Sequence, residues 1–166
     1  MHLIGKKRLV SWLVNNIYVG TRFFGMKRSL LKSIGYKIGE NVKIVGPIEC
    51  TGTLIVGDNC WIGKNFKVNG NGTVVIGNNC DIGPEVTFMT GGHEIGTSQR
   101  RAGQGFNTIQ TVGNGVWIGG RATIVNKVHI GDSSVIAACA CVVQDVDKNT
   151  LVGGVPAKKI RSIENV

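Results

Sequence analysis

Histidine is the side chain best suited to accept and return a proton near neutral pH, and this chain has three: His2, His93 and His129. His2 lies near the N-terminus, and His129 occupies an expected outward corner position. His93 stands at the start of a polar, glycine-rich segment. Two carboxylates, Glu85 and Glu94, are close enough in sequence to orient its ring, and the sequence does not choose between them. We identify His93 as the candidate general base and interpret His129 as a surface or structural residue.

The polar segment is residues 90–111, and it interrupts an otherwise periodic sequence. The period returns in phase at Val112. An insertion that leaves a regular scaffold and rejoins it is usually functional. Arg100 and Arg101 lie in its middle and are candidate substrate-binding residues.

The five cysteines do not form the spacing of a metal site or of a disulfide framework. Their number is odd, and no pair is separated by two residues. We expect them to point inward as small buried hydrophobes without a positioned base, and we predict no metal site. They are Cys50, Cys60, Cys80, Cys139 and Cys141.

The rest of the chain is organised by a period of six residues, which is neither helical nor that of an ordinary strand. One row of the run 112–147 is aliphatic: Val112, Ile118, Ile124, Ile130, Ile136 and Val142. A second row follows four positions later: Val116, Ala122, Val128, Ser134, Ala140 and Val146. Such a repeat predicts a parallel β-helix in which each coil covers its neighbour.

Three hexapeptides make one coil of 18 residues around a triangular prism. On this basis Val112, Ile130 and Lys148 should stack along one edge. The row arrives two residues late at Ile76, so we expect an extra pair at residues 69–72 to bulge at a corner without changing the prism.

Composition predicts one small globular body with an N-terminal appendage. Residues 1–37 form a basic amphipathic segment, residues 38–153 the β-helix and residues 154–166 a tail. Two short helices are expected within residues 6–33, broken at Gly20 and Gly25.

Charge is concentrated at one end of the chain. Residues 1–39 contain eight basic residues and no acidic one, whereas the remainder has 11 basic and 10 acidic residues. The body is therefore not a polyanion binder, and no nucleic-acid partner is expected. The basic segment either caps the open first coil, or lies on an anionic membrane, or does both. With no long apolar run and no signal-peptide profile, we expect a cytoplasmic protein, peripheral at the inner membrane face.

These features together resemble the hexapeptide-repeat acyltransferases, near the maltose or galactoside and the polysaccharide O-acetyltransferases. The resemblance rests on His93 after a strand, VWIG at residues 116–119, the stacked IG repeats and GVPAKKIR at residues 154–161. It covers about residues 38–161. It implies an all-β fold, a left-handed parallel β-helix with a helical N-terminal segment and one inserted loop. It further implies a homotrimer that binds acetyl-CoA in clefts between neighbouring prisms.

The resemblance also implies a set of donor-binding residues. The pantetheine arm of acetyl-CoA would follow small residues, and basic residues of the tail would meet the phosphates. Each assignment has an alternative. The small residues could be small only because the prism is narrow, the tryptophan could pack between subunits, and the basic tail could simply be solvated. The residues are Trp117, Gly119, Gly120, Ala137, Ala138, Lys158 and Arg161.

On the acceptor side, Asn69 matches an asparagine that orients the acceptor in these relatives, although it also lies in a turn-rich stretch. The implied reaction is direct transfer of an acetyl group to a sugar hydroxyl, with His93 as base. Three other possibilities stay open. They are N-acetylation of an amino sugar or small xenobiotic, a metalloenzyme resembling the γ-carbonic anhydrases, and a β-helix without catalytic activity.

Overall fold

The N-terminal segment folds into two helices that lie across one end of the molecule. The computed structural model describes residues 2–164, with side chains from residue 5 onward. Helix α1 spans His2–Trp12 and continues as a π-helical turn, Leu13–Ile17, and helix α2 spans Phe24–Lys32. The break between them contains Gly20 as predicted, but the expected break at Gly25 is wrong, because Gly25 lies inside α2.

Nineteen short strands follow the helices. In chain order they are β1 Lys37–Ile38, β2 Lys43–Ile44, β3 Ile48–Cys50, β4 Thr53–Val56, β5 Trp61–Ile62, β6 Phe66–Asn69, β7 Thr73–Ile76, β8 Asp81–Ile82, β9 Thr87–Met89, β10 Gly91–Ile95, β11 Ala102–Asn107, β12 Ile109–Val112, β13 Trp117–Ile118, β14 Thr123–Val125, β15 His129–Ile130, β16 Val135–Ile136, β17 Cys141–Val142, β18 Thr150–Gly154 and β19 Ala157–Ser162.

Sixteen of these strands form three parallel sheets, the faces of a triangular prism. Face 1 holds β1, β4, β7, β12 and β15; face 2 holds β2, β5, β8, β13, β16 and β18, with β19 added antiparallel at its end; face 3 holds β3, β6, β9, β14 and β17. Equivalent repeat positions pair in register, as Ile118 does with Ile82 and Ile136. The predicted β-helix is therefore confirmed.

Both rows of the hexapeptide repeat between residues 112 and 147 point into the prism. Every aliphatic position of the first row and every small position of the second is buried. Ser134 is the one polar member, and its hydroxyl donates to the carbonyl of Asp147 at 2.7 Å. The hydrophobic effect thus explains the period of six, since each hexapeptide supplies one side chain from each row to a narrow core.

The stacking prediction for the last coil is wrong at one position. Val112 pairs with Ile130 as expected, but Ile130 then bridges to Val146, and Lys148 is exposed. The last coil is two residues shorter, which puts an apolar residue instead of an ammonium group on the core. The other irregularity follows the prediction, since residues 70–72 bend between β6 and β7 and Val56 still pairs with Ile76.

The expectation for the cysteines is also only partly correct. Cys60 and Cys80 are stacked and buried, but Cys139 is exposed. Its backbone has a φ of 61°, and this corner geometry directs the side chain away from the core.

The helices close the open end of the prism. Val10, Val14, Leu31 and Ile34 are buried and belong to the same apolar core as the first coils. Part of the first coil's edge is paired by the cap, since the Asn15 side chain bonds to both the amide and the carbonyl of Ile48. Among the residues described, no helix has the length and apolarity needed to cross a bilayer.

A lysine holds the connection between the two helices. The Lys27 side chain is fully buried, and its Nζ donates to the carbonyls of Gly20 at 2.6 Å and Val45 at 3.3 Å. Nζ also lies 4.8 Å from the centre of the Phe24 ring. Burial lowers the pKa of Lys27 below its ordinary value of 10.5 because the charged form loses solvation.

This lysine predicts a pH dependence of stability. Between the lowered pKa and 10.5, the unfolded chain holds a proton that the folded chain has released. The contribution of Lys27 to the free energy of unfolding should therefore rise with pH across that window, whereas the raised pKa values of Cys50 and Tyr36 act in the opposite direction. The difference in unfolding free energy between wild type and Lys27→Met, measured by urea unfolding at several alkaline pH values, should isolate this rise. Parallel pH curves would contradict the prediction.

Candidate active site

The segment that carries His93 is a β-hairpin and not an irregular loop. Strands β10 and β11 pair antiparallel, with Gly91 opposite Asn107, Gly92 opposite Phe106 and His93 opposite Gly105. The hairpin leaves the prism after β9 on face 3 and returns at β12 on face 1. It lacks the inward aliphatic row, so it has no surface to bury in the prism and its backbone groups pair with each other instead.

The base of the hairpin is closed by buried polar contacts. The Thr108 amide donates to the carbonyl of Thr90 at 2.7 Å. Below it, the buried amide of Gln110 donates from Nε2 to the carbonyls of Met89 at 3.1 Å, Ile124 at 3.3 Å and Asn126 at 2.6 Å. These bonds pair backbone carbonyls at the corner between faces 3 and 1, where the chain leaves the prism to form the hairpin. They thereby hold the base of the hairpin in place.

The imidazole of His93 is exposed and oriented by a backbone carbonyl. Its Nδ1 lies 3.0 Å from the carbonyl oxygen of Gly103 on the opposite strand. A carbonyl can only accept a hydrogen bond, so Nδ1 carries the proton and Nε2 keeps its lone pair. The expectation that Glu85 or Glu94 orients the ring receives no support. Glu85 instead accepts from Nε of Arg121 at 2.8 Å, and this hydrogen bond raises the pKa of the guanidinium.

His93 lines an open concavity of about 450 Å³ with residues from both hairpin strands. Phe106 lies against Gly92, where the Cβ of any larger residue would come within 2.7 Å of the ring atom Cζ. Asn107 accepts at Oδ1 from the amide of Asn71 at 3.1 Å, and its NH₂ group bonds to none of the described residues. The concavity is therefore lined by a proton acceptor (His93), an apolar ring (Phe106) and an amide that can donate hydrogen bonds (Asn107).

Sequence reasoning missed Phe106 and Asn107. One signal was present, because Phe106 is the only Phe, Tyr or Trp within residues 90–111. The cross-strand pairing that brings it beside His93 was not visible without the hairpin.

Two other predicted acceptor residues lie at the far end of the hairpin. Arg100 and Arg101 are exposed in the turn between the strands, and Arg101 donates to the carbonyl of Gly96 at 3.4 Å. Neither lines the concavity. Asn69 is half-buried at the end of β6, and its carbonyl accepts from the amide of Thr90 at 2.8 Å. It therefore lies beside the hairpin base.

The small residues of the predicted donor site stack at the corner between faces 2 and 3. Gly119 donates to the carbonyl of Ile136 at 2.8 Å, and Cys139 donates to that of Gly120 at 2.9 Å. A Cβ on Gly119 would lie 2.5 Å from the amide nitrogen of Ala138, so packing between coils alone demands glycine here. Ala138 is exposed, and Gly120 and Ala137 are half-buried.

The remaining donor-site candidates extend face 2. Trp117 is 58% exposed and pairs with Val135. Lys158 and Arg161 are exposed on β19, opposite Gly153 and Leu151.

Within one chain, the His93 hairpin and the residues predicted to bind CoA are not brought together. The hairpin with His93 projects from the corner between faces 3 and 1, whereas the small residues stack at the corner between faces 2 and 3. Within one chain, therefore, the candidate base and the residues predicted to bind CoA lie at different corners of the prism. Across the described chain, His, Cys, Asp and Glu side chains form no group of three that could hold a metal ion.

Comparison with known proteins shows the family. No model of a protein family matches the sequence. The galactoside O-acetyltransferase of Escherichia coli K12 is 37% identical over 145 residues, which are 84% of this chain and 70% of that protein.

Solved structures agree with this relationship. The hexapeptide-repeat acetyltransferase VCA0836 of Vibrio cholerae superposes with a TM-score of 0.85 at 28% identity, covering 99% of this chain and 92% of that one. A galactoside acetyltransferase in complex with coenzyme A gives a TM-score of 0.83 at 29% identity, covering 98% and 82%. The chain, with its stacked hexapeptide coils and inserted histidine hairpin, thus belongs to the hexapeptide-repeat acetyltransferases, in the group that includes galactoside O-acetyltransferase.

Proposed function

We propose that this protein transfers an acetyl group from acetyl-CoA directly to a hydroxyl of a sugar or polysaccharide precursor, with His93 as general base. The observation that carries the proposal is the exposed imidazole whose Nδ1 is bonded to the Gly103 carbonyl, which leaves the lone pair on Nε2. A related galactoside acetyltransferase has been solved with coenzyme A, and VCA0836 with acetyl coenzyme A.

The transfer needs no covalent enzyme intermediate. Nε2 of His93 takes the hydroxyl proton as the acceptor oxygen attacks the thioester carbonyl. The tetrahedral oxyanion is stabilised by a backbone N–H, the C–S bond then breaks, and the imidazolium returns the proton to the CoA sulfur. The thioester already supplies the activation that an acyl-enzyme would provide, and Cys60 and Cys80 are buried in the prism.

The acceptor would bind in the concavity beside His93. Phe106 offers an apolar surface to a sugar ring, and the NH₂ group of Asn107 offers a donor to its hydroxyls. Asn69 lies beside the base of the hairpin, and we keep it as an acceptor contact. Arg100 and Arg101, at the hairpin tip, would meet a more distant, anionic part of a larger acceptor.

The donor would bind along the corner between faces 2 and 3. In this arrangement the pantetheine arm passes Trp117 and the backbone at Gly119, Gly120, Ala137 and Ala138. Lys158 and Arg161 on β19 would form charge-assisted contacts with the phosphates of CoA.

Because base and donor corner lie on different edges of one prism, we propose that the active site forms between copies of the chain. A homotrimer with a threefold axis along the prisms would bring the His93 hairpin of one copy to the donor corner of the next. We propose a cytoplasmic location, where acetyl-CoA is available.

The function can be tested with acetyl-CoA and a panel of galactosides, glucosides and amino sugars, with products followed by mass spectrometry. We expect sugar products that gain one acetyl group and lose it in mild base, as an ester does. Base-stable products would identify an N-acetyltransferase instead. No turnover, together with no shift in melting temperature on adding CoA, would leave a β-helix without catalytic activity.

A further inference from the structure

The outer surface of the N-terminal cap is unusually apolar. Six large side chains between positions 9 and 26 are 37–58% exposed, whereas Val10, Val14 and Leu31 of the same segment are buried against the first coil. Clusters of this kind are uncommon on soluble monomers and mark interaction surfaces. We name them the cap patch: Leu9, Trp12, Ile17, Val19, Phe23 and Met26.

The cap patch is accompanied by cations. Lys6, Lys7, Arg8 and Arg22 are exposed, and none of them forms an ion pair with any residue that the structure describes. No acidic residue occurs in residues 1–39. The cap segment thus carries exposed apolar side chains together with positive charge that has no ion-pair partner among the described residues.

The cap patch is held in place by the first coil. The Gly20 amide donates to the carbonyl of Val45 at 2.8 Å, and Lys27 donates to the carbonyl of Gly20 at 2.6 Å. The rings of Tyr18 and Phe23 pack edge to face, 5.5 Å apart. Residues 18–23 therefore present Val19 and Phe23 on an anchored turn. Binding would cost little conformational entropy, because this segment is already ordered.

We propose that the cap patch docks on an anionic lipid bilayer. The two helices would lie in the plane of the interface, with the apolar side chains at the boundary between headgroups and acyl chains and the cations against lipid phosphates. Charge favours an anionic bilayer over a second copy of the chain as the partner. A second cap carries the same positive charge, and the β-helix body, with 11 basic and 10 acidic residues, has no negative surplus. This docking is independent of the chemistry at His93, so either proposal can fail without the other.

The experiment is sedimentation of the full-length protein with lipid vesicles. Wild type should bind vesicles that contain phosphatidylglycerol, bind pure phosphatidylcholine much less, and lose binding as salt increases. Each cation near such a surface contributes about fivefold to the binding constant, so Lys6→Gln, Lys7→Gln and Arg8→Gln together should lower it about a hundredfold. Trp12→Ser with Phe23→Ser should also abolish pelleting.

A matched control removes two exposed apolar side chains elsewhere. Ile95 and Ile109 are 88% and 58% exposed, and Ile95→Ser with Ile109→Ser should bind vesicles like wild type. Circular dichroism melting identifies any variant that fails to fold. In the wild type, vesicles should shift tryptophan emission to the blue, and Trp12→Phe should remove that shift.

Two results would overturn the proposal. One is equal pelleting with both kinds of vesicle, or none with either. The other is a loss of self-association in Trp12→Ser with Phe23→Ser, measured by sedimentation equilibrium, while wild type ignores vesicles. The latter would show that the cap patch is a contact between copies of the chain.

Discussion

His93→Ala should lower acetyl turnover by about a hundredfold to ten-thousandfold, because general-base assistance is typically worth that much in rate. The ring is exposed, and it makes one hydrogen bond, to the Gly103 carbonyl. Its removal should therefore leave the melting temperature close to that of wild type. Initial rates with acetyl-CoA and the best acceptor of the panel measure the effect.

The matched control is the other described histidine with an exposed side chain. His129 lies on face 1, and its Nδ1 is 2.8 Å from the hydroxyl oxygen of Thr111. His129→Gln should retain the wild-type rate. His93→Ala should also keep the shift in melting temperature on adding CoA, because the contacts proposed for CoA are made by the stacked corner residues and the β19 cations and not by His93. An unchanged rate in His93→Ala would remove the histidine from the mechanism.

Phe88→Ala should cost about 3–5 kcal/mol of unfolding free energy, the range for deleting a large buried aromatic side chain. Phe88 is fully buried on β9, with its ring 5.7 Å from that of Phe66 on the coil below. The prism is narrow, so few side chains can move into the space that is left. Urea unfolding of the two proteins under the same conditions measures the difference.

The neighbouring residue supplies the control for this substitution. Met89 follows Phe88 on the same strand but is 40% exposed. Met89→Ala should stay within about 0.5 kcal/mol of wild type, as surface substitutions usually do. Similar losses for the two variants would mean that the core does not depend on the stacked phenylalanines.

Much of the β-helix was predictable because its information is local and repeated. A residue such as Ile118 is apolar because the prism needs an inward side chain there, and the same demand recurs six residues later at Ile124. The two buried rows, the bulge at residues 69–72 and the helical cap could all be inferred from spacing alone. The exception is the last coil, where Val146 and not Lys148 stacks on Ile130. Strict 18-residue spacing would have buried a charged lysine there, and the shorter coil avoids that cost.

The candidate site depended on contacts that no local pattern records. His93 could be singled out from the sequence because a lone histidine at the start of a polar insertion is conspicuous. Its orienting group could not, because the Gly103 carbonyl reaches it only through the antiparallel pairing of β10 with β11. Every residue has a backbone carbonyl, so residue type gives no sign of which one bonds to a ring.

The sequence by itself determined the period, and hence the coils, the core and the position of the histidine along the chain. Only the tertiary structure decided which corner each feature occupies. It placed the His93 hairpin between faces 3 and 1 and the stacked residues at Gly119 and Ala137 between faces 2 and 3. The physical reason is that inward side chains are selected strand by strand. The relative position of two corners, in contrast, depends on the length and geometry of every turn and insertion between them.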